Sequence, residues 1–311
     1  MSEKPNPAGY GQRDAAIRCQ TYSPVRRRDG VPHELFALYW RDVHGPLCAR
    51  LPGLGFYAQH HFSRERRANL WPLASGVRGL DIVLDGAVEI GFAGESEQAR
   101  FLAASPILFG EEVHLFGWDN AYLLPRGSRT YVDRQPDATP NGPDRLHRLH
   151  VYLQGSGAAF PGWVPGFAAA LADSPAVMKL RLHLPEPYDN ANPQPPSPNV
   201  DHRVIDELLQ PAIMEIGFES ALAARAFFDS AAFKAAADGQ ATHVRSVAAF
   251  LVTGVYTYIR DGVLTTAGLR GSRTAEIIEQ MGAVNQTEDD VASLFARQRR
   301  AGAGDHQGEP A

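Results

Sequence analysis

Residues 34–62 read ELFALYWRDVHGPLCARLPGLGFYAQHHF, and their hydrophobic period changes midway. In the first half, Leu35, Leu38, Tyr39, Asp42 and Val43 fall on one side at helical spacing. Phe36, Trp40, His44 and Leu47 form a neighbouring stripe. Trp40 and His44 are four apart and share a face. Gly45-Pro46 is expected to interrupt this helix, because proline disfavours helical backbone at the residue before it. His44 would then stand at a helix break, as a pocket wall or as a C-terminal cap favoured by the helix dipole. Residues 54–62 alternate as a strand. Phe56, Ala58, His60 and Phe62 share one face, and Tyr57, Gln59 and His61 share the other. Only one of His60 and His61 can face the same space as His44. The more apolar company of His60 makes it the one expected to be buried.

Outward from this unit, a first strand is read over 15–25 and a third over 86–92. Helices are read over 96–104 and, in part, 106–118, and a fourth strand over 128–134. The order β-α-β-β-α-β is the ferredoxin-like arrangement. A second copy follows. Val88-Glu89-Ile90-Gly91-Phe92 is matched 126 positions later by Met214-Glu215-Ile216-Gly217-Phe218, and at the same offset Phe101 meets Phe227. The copy's first strand, helix and second strand are placed at 146–153, 162–172 and 177–184. A Pro/Asn-rich insertion at 185–199 is expected to lack regular structure. The chain therefore divides into a flexible arm (1–14), a first unit (15–134), a linker (135–145) and a second unit (146–262). A helical extension (263–287, its helix near 274–281) and a fraying tail (288–311) complete it.

Tyr39-Trp40, three residues, then His44-Gly45-Pro46-Leu47, then a glycine and an aromatic strand ending Gln59-His60-His61, resembles the EthD family of small ferredoxin-like proteins. The resemblance covers most of 15–262 and is strongest over 34–62. In the second copy Trp163 is present, but Phe167 stands where the histidine would be, so the signature is complete once. The resemblance implies an α+β protein whose two ferredoxin-like halves meet face to face as a dimeric α+β barrel. Each half would hold an apolar cavity between sheet and helices. It also implies cofactor-free chemistry of the kind found in aromatic polyketide and ring-lactone enzymes, by proton transfer on a bound hydrophobic carbonyl or phenol. Whether the halves close on each other or two chains pair is open at this point, and a homodimer is compatible with apolar sheet faces.

A neutral histidine against an apolar wall suits such chemistry, having a proton affinity near working pH. His44 is the leading acid/base candidate, with His60 or His61 as its partner. Glu89 is a further candidate: a mid-strand carboxylate is costly to bury unless paired. It is either a cavity acid of raised pKa or an ion-pair partner of an arginine across the two halves. Trp40, Tyr39, Tyr57, Tyr22 and Trp118 are candidate pocket walls, and Asp201-His202 a candidate lid contact.

Composition narrows the remaining classes. The 311 residues are 44% hydrophobic and 21% charged with a net charge of −5, which gives nucleic-acid binding no support. Two cysteines, Cys19 and Cys48, make neither a disulfide framework nor a CxxC pair, consistent with a reducing cytoplasm. No secretory leader is read at the N-terminus, and no apolar run reaches the roughly 18 residues of a membrane span. HExxH, HxH, GxGxxG and P-loop motifs are absent, so neither a metal nor a cofactor is expected. The leading expectation is a cofactor-independent lyase, dehydratase or isomerase acting on a small hydrophobic aromatic or carbonyl compound. Its rivals are a haem- or oxygen-using oxidoreductase on the same barrel and a non-catalytic ligand-binding protein.

Overall fold

The computed structural model describes residues 9–65 and 71–296. In the first half, α1 (Tyr10–Ala16) precedes β1 (Cys19–Arg27). Helix α2 (His33–Tyr39) runs through a π turn (Trp40–His44) into α3 (Gly45–Ala49). Then come β2 (Phe56–Phe62), β3 (Arg78–Gly79), β4 (Gly86–Phe92), α4 (Glu95–Ala104), α5 (Pro106–Glu112), β5 (Phe116–Asp119), β6 (Tyr122–Leu124) and β7 (Arg129–Asp133). After β8 (Asn141–Pro143), the second half has β9 (His147–Gly155), α6 (Phe160–Ala172), β10 (Val177–His183) and β11 (Pro211–Phe218). Helices α7 (Ala221–Asp229), α8 (Ala231–Ala237) and α9 (Gln240–His243) lead to β12 (Val244–Arg260). The chain ends with β13 (Val263–Leu264), α10 (Thr266–Arg270), α11 (Ser272–Met281) and α12 (Asp289–Ala296). Among the described residues no helix is long and apolar enough to cross a membrane.

Strand order makes the two halves alike. The path is β5-β1-β4-β2-β12-β9-β11-β10-β7, with β6 also beside β1. The second half, β12-β9-β11-β10, has the ferredoxin order, and β4 and β11 hold equivalent places. The fourth strand expected over 128–134 exists as β7, but it pairs with β10 of the other half. Its counterpart β12 lies beside β9 at its start and beside β2 at its end. Each half thus lends a strand to the other's edge, and the two sheets close on each other within one chain.

Both faces of the central strands are covered, so β11 is buried throughout and reads as a nearly unbroken apolar run. One core fills the space between the second sheet and α6–α8, around Phe167, Met214, Phe218 and Phe228. A second lies between the first sheet and α2–α5, around Phe36, Trp40, Tyr57 and Phe92. A third occupies one end of the barrel interior, around Phe62, Tyr152 and Phe250. Fully burying one such phenylalanine contributes roughly 1.5–3 kcal/mol.

Several boundaries differ from expectation. The first strand starts at Cys19 rather than residue 15, because residues 10–16 form a helix held at its end by Asp14, whose carboxylate accepts from the Thr130 backbone N–H. The expected linker contains β8, which pairs with β12. The final expected helix begins two residues early, at Ser272, and stops at Gly282 in the left-handed conformation (φ 62°). Within the expected tail, residues 289–296 are helical; residues 297–311 of it, and residues 1–8 of the arm, lie outside the described residues.

Candidate functional site

Gly45-Pro46 does not break the first helix. The chain loosens by one residue at Trp40–His44, so the Gly45 N–H reaches back to the Trp40 carbonyl. This loosening absorbs the missing proline donor, and Pro46 falls in the first turn of α3, where no donor is needed. Side chains serve the loosened carbonyls: Gln59 Nε2 donates to Trp40 O (3.0 Å) and the Tyr258 hydroxyl to Arg41 O (2.7 Å). Gly45 is required there, since a Cβ would sit 2.4 Å from the Tyr258 ring. His44 is therefore not a cap. It is buried, and Nδ1 lies 2.7 Å from Glu111 Oε2. Phe36 and Trp40 on the same stripe are buried, whereas Leu35, Leu38 and Val43 are exposed.

His44 lines a cavity of about 380 Å³ between the first sheet and α2–α5. Trp40 and Tyr57 line it too, as expected. Val25, Ile90, Phe92, Phe101 and Leu108 supply apolar wall, and Gln194, Pro195 and Pro196 of the Pro-rich insertion lie across it. A cavity of this size suits a small ligand. It is open space, not filled by packed side chains as a purely structural histidine site would be.

At one end of this apolar space sit acidic groups that the sequence reading did not single out. Glu111 and Glu112 close α5, and Asp119 ends β5. Ser197, in the insertion, donates its hydroxyl to Glu112 Oε2. Burial together with the nearby Asp119 charge raises the Glu112 carboxyl to about 7, against the pull of His44 and Ser197. Burial also raises Asp119, despite His202. His202 is fixed by two backbone carbonyls, Asp119 O opposite Nδ1 and Ser197 O opposite Nε2, both at 3.0 Å. Two acceptors require both ring nitrogens to be protonated. The Asp119 carboxylate lies 2.7 Å from Nδ1 as an ion-pair contact beside that N–H. Burial opposes the charge on His202, but Asp119 outweighs it and the pKa rises to about 9. For His44, burial is likewise outweighed by Glu111, Glu112 and Asp119, and its pKa is raised. Glu111 stays below the usual carboxylate range because His44 and Tyr39 overcome its burial.

The other expected site residues lie elsewhere. His60 and His61 do face opposite ways, but neither lines the cavity, and both are buried because both faces of β2 are covered. His61 is on the helix side behind Trp40, stacked on its indole at 4.5 Å, and burial with Arg41 nearby holds its pKa well down. His60 and Glu89 face the barrel interior. Glu89 accepts from Gln20 Nε2 (2.7 Å) and pairs with Arg181 Nε of the other half (3.1 Å). Its burial is overcome by His183, Arg181 and His60, which keep it well below the usual range. It is the ion-pair partner, not a cavity acid. Tyr22 is also interior, its hydroxyl 2.6 Å from His150 Nδ1. Tyr39 stands behind Glu111 and positions it. Trp118 donates to Arg203 O (2.6 Å), tying down the segment that follows the insertion rather than lining the space. Of the missed groups, the Glu111-Glu112 pair at the end of an apolar helical run was a visible signal. Ser197 carried none beyond its place in the insertion; His202, read as a candidate lid contact, stands against Asp119 at the end of β5.

Haem does not fit this cavity. Its residues include four carboxyl groups (Glu95, Glu112, Asp119, Glu186) and no arginine or lysine to face the propionates.

No family model and no curated protein matches this sequence. Solved structures of similar overall shape exist. One is a protein of Fusobacterium nucleatum assigned as a monooxygenase (6% identity, TM-score 0.48, 80% of this chain and 98% of that one). An anthrone oxidase-like protein has 11% identity and TM-score 0.49, over 81% and 98%. A Lactobacillus acidophilus protein, also assigned as a monooxygenase, has 11% identity and TM-score 0.43, over 80% and 99%. At this distance none of them informs the chemistry, which is read from the site.

Proposed function

We propose that the cavity binds a neutral, hydrophobic aromatic or carbonyl compound and moves a proton on it without a cofactor, as an isomerase, dehydratase or lyase does. The observation that carries this reading is the placing of His44 and Glu112 on one apolar cavity, His44 with its pKa raised by the facing carboxylates and Glu112 with its own raised to about 7. A general acid and base work best when their pKa values lie near the working pH. Glu111 fixes the His44 ring through Nδ1, so Nε2 is the nitrogen left for substrate. Ser197 fixes Glu112. One group takes a proton from carbon while the other gives one to the carbonyl oxygen or departing hydroxyl. The acidic lining repels anions, so carboxylated analogues bind poorly. The EthD-like motif at 39–47 supports the same chemistry, and the matched strands at 88–92 and 214–218 support duplication of one ancestral unit.

The test uses hydrogen–deuterium exchange at ligand carbon in D2O, followed by NMR, on aromatic carbonyls and phenols first selected by thermal shift. Wild-type protein should catalyse exchange with a bell-shaped pH profile, one limb of it near pH 7 from Glu112, and a folded His44→Ala protein should not. Exchange retained in that variant, or tighter binding of carboxylated analogues, would sink the reading. Stoichiometric oxygen uptake by the wild type would instead support the oxygen-using alternative.

A further inference from the structure

On the opposite face of the first sheet from the cavity, the two halves enclose a second cluster. His60 of β2, His150 of β9 and Glu215 of β11 each offer one donor atom, and the three atoms lie within 4.8 Å of one another. All three residues are almost wholly buried. We propose that this cluster is a binding site for one borderline divalent transition ion, zinc or ferrous iron, held across the junction of the two halves.

Three observations carry it. First, inward-facing ring nitrogens are poorly satisfied among the described residues: Nδ1 of His60 and Nε2 of His150 have no hydrogen-bond partner, and Nε2 of His60 has only an ion-pair contact with Glu89 at 3.3 Å. A buried polar atom without a partner is destabilising, and a shared cation would relieve several at once. Second, the outer atoms are already fixed as metal ligands need. The Tyr22 hydroxyl lies 2.6 Å from His150 Nδ1 and turns Nε2 inward, while Arg148 holds one Glu215 oxygen. Such outer contacts orient ligands in metal sites. Third, the charges leave room for a dication. Arg148 and Arg181 face Glu215 and Asp144, and Glu89 and Asp14, respectively. Two guanidinium groups against four carboxylates leave two negative charges, and the neighbouring Lys179–Asp133 pair cancels itself.

Two imidazoles and one carboxylate are the donor set of catalytic zinc sites and of non-haem iron sites with open positions. Side-chain rotation must draw the donors in to bonds of roughly 2.0–2.2 Å. A hard ion such as magnesium would find too few oxygens. With the site closed on all sides, the ion enters as the halves assemble, so binding is part of folding. The donors come from three separate strands, which is why no sequence spacing announces them.

The experiment is expression of the full chain in medium supplemented with zinc or with iron, purification without chelator, and elemental analysis of wild type, His44→Ala, His60→Gln and His150→Gln. The expected result is about one ion per chain in wild type and His44→Ala, and a loss of about tenfold in the other two. X-ray absorption of the loaded wild type should show imidazole nitrogen in the first shell. That measurement decides the matter even if the histidine variants fail to fold. Folded wild type without metal after either supplement would overturn the proposal, showing that the cluster holds water instead. Absence of imidazole in the first shell, or full metal in His150→Gln, would equally overturn it. His44→Ala separates this site from the cavity, since it should lose proton exchange and keep its ion.

Discussion

Replacing Glu112 by glutamine should stabilise the protein at alkaline pH and leave it unchanged in acid. The native carboxyl has its pKa raised from an ordinary 4.5 to about 7, chiefly by burial. The folded state therefore prefers the protonated form. Below about pH 4 both folded and unfolded chains are protonated and the shift has no effect. Between 4.5 and 7 the unfolded chain ionises and the folded one does not, so stability falls as pH rises. Above about 7 the cost is complete. At 1.36 kcal/mol per pH unit the full cost is about 3 kcal/mol. Glutamine mimics the neutral acid, keeps an acceptor for the Ser197 hydroxyl, and cannot ionise. Thermal unfolding at pH 4, 7 and 8.5 should show no change at pH 4 and a Tm roughly 6 °C higher at 8.5. Proton exchange on ligand should fall in the same variant, a trade of function against stability. A variant that is no more stable at pH 8.5 than at pH 4, relative to wild type, would refute the account of Glu112 as a buried, near-neutral acid.

Other substitutions follow the same reasoning. His202→Gln should lose about 3 kcal/mol at pH 6, because a raised histidine stabilises below its unfolded value near 6.5 and that gain disappears as pH climbs through about 9; urea titrations at pH 6 and 10 should differ accordingly. Arg181→Leu takes the guanidinium from buried Glu89 and leaves it to Gln20, His60 and His183, with an expected loss of about 3 kcal/mol in urea unfolding; a loss under about 1 kcal/mol would mean that those partners or water replace the ion pair. Gly45→Ala drives a methyl into the Tyr258 ring, costing about 1–3 kcal/mol and disturbing the π turn that aims His44; wild-type-like melting and exchange would show that turn to be incidental.

Local period and pattern carried the fold well. The change of period inside 34–62 gave a helix, a turn and a strand, and β4 spans the residues expected of it. His44, Trp40 and Tyr57 meet at one cavity because helix face and strand parity are local properties. What local pattern could not show was the exchange of edge strands: β7 looks like any fourth strand, and its partner β10 is chosen by closure of the whole sheet. Parity correctly separated His60 from His61 but could not say which side was empty space. The helix side holds the cavity, yet Trp40 covers His61 there. Ser197 and His202 hold Glu112 and Asp119 of one half though carried by the other, and no spacing rule reaches that far.

The exchange of strands has a consequence for how the protein is made. Tyr258 of β12 donates its hydroxyl to Gln59 of β2 across 199 residues of chain. Until residues near 260 have left the ribosome, β2 has a bare edge, and β7 has no strand to lie against until β10 appears. An exposed strand edge invites pairing with other chains, and contacts this distant in sequence close late. The first half is thus born as an unfinished sheet for most of synthesis. Fragments cut between the halves should aggregate rather than fold, whereas strand-exchanged dimers, with β12 of one chain completing β2 of another, offer the easiest wrong turn.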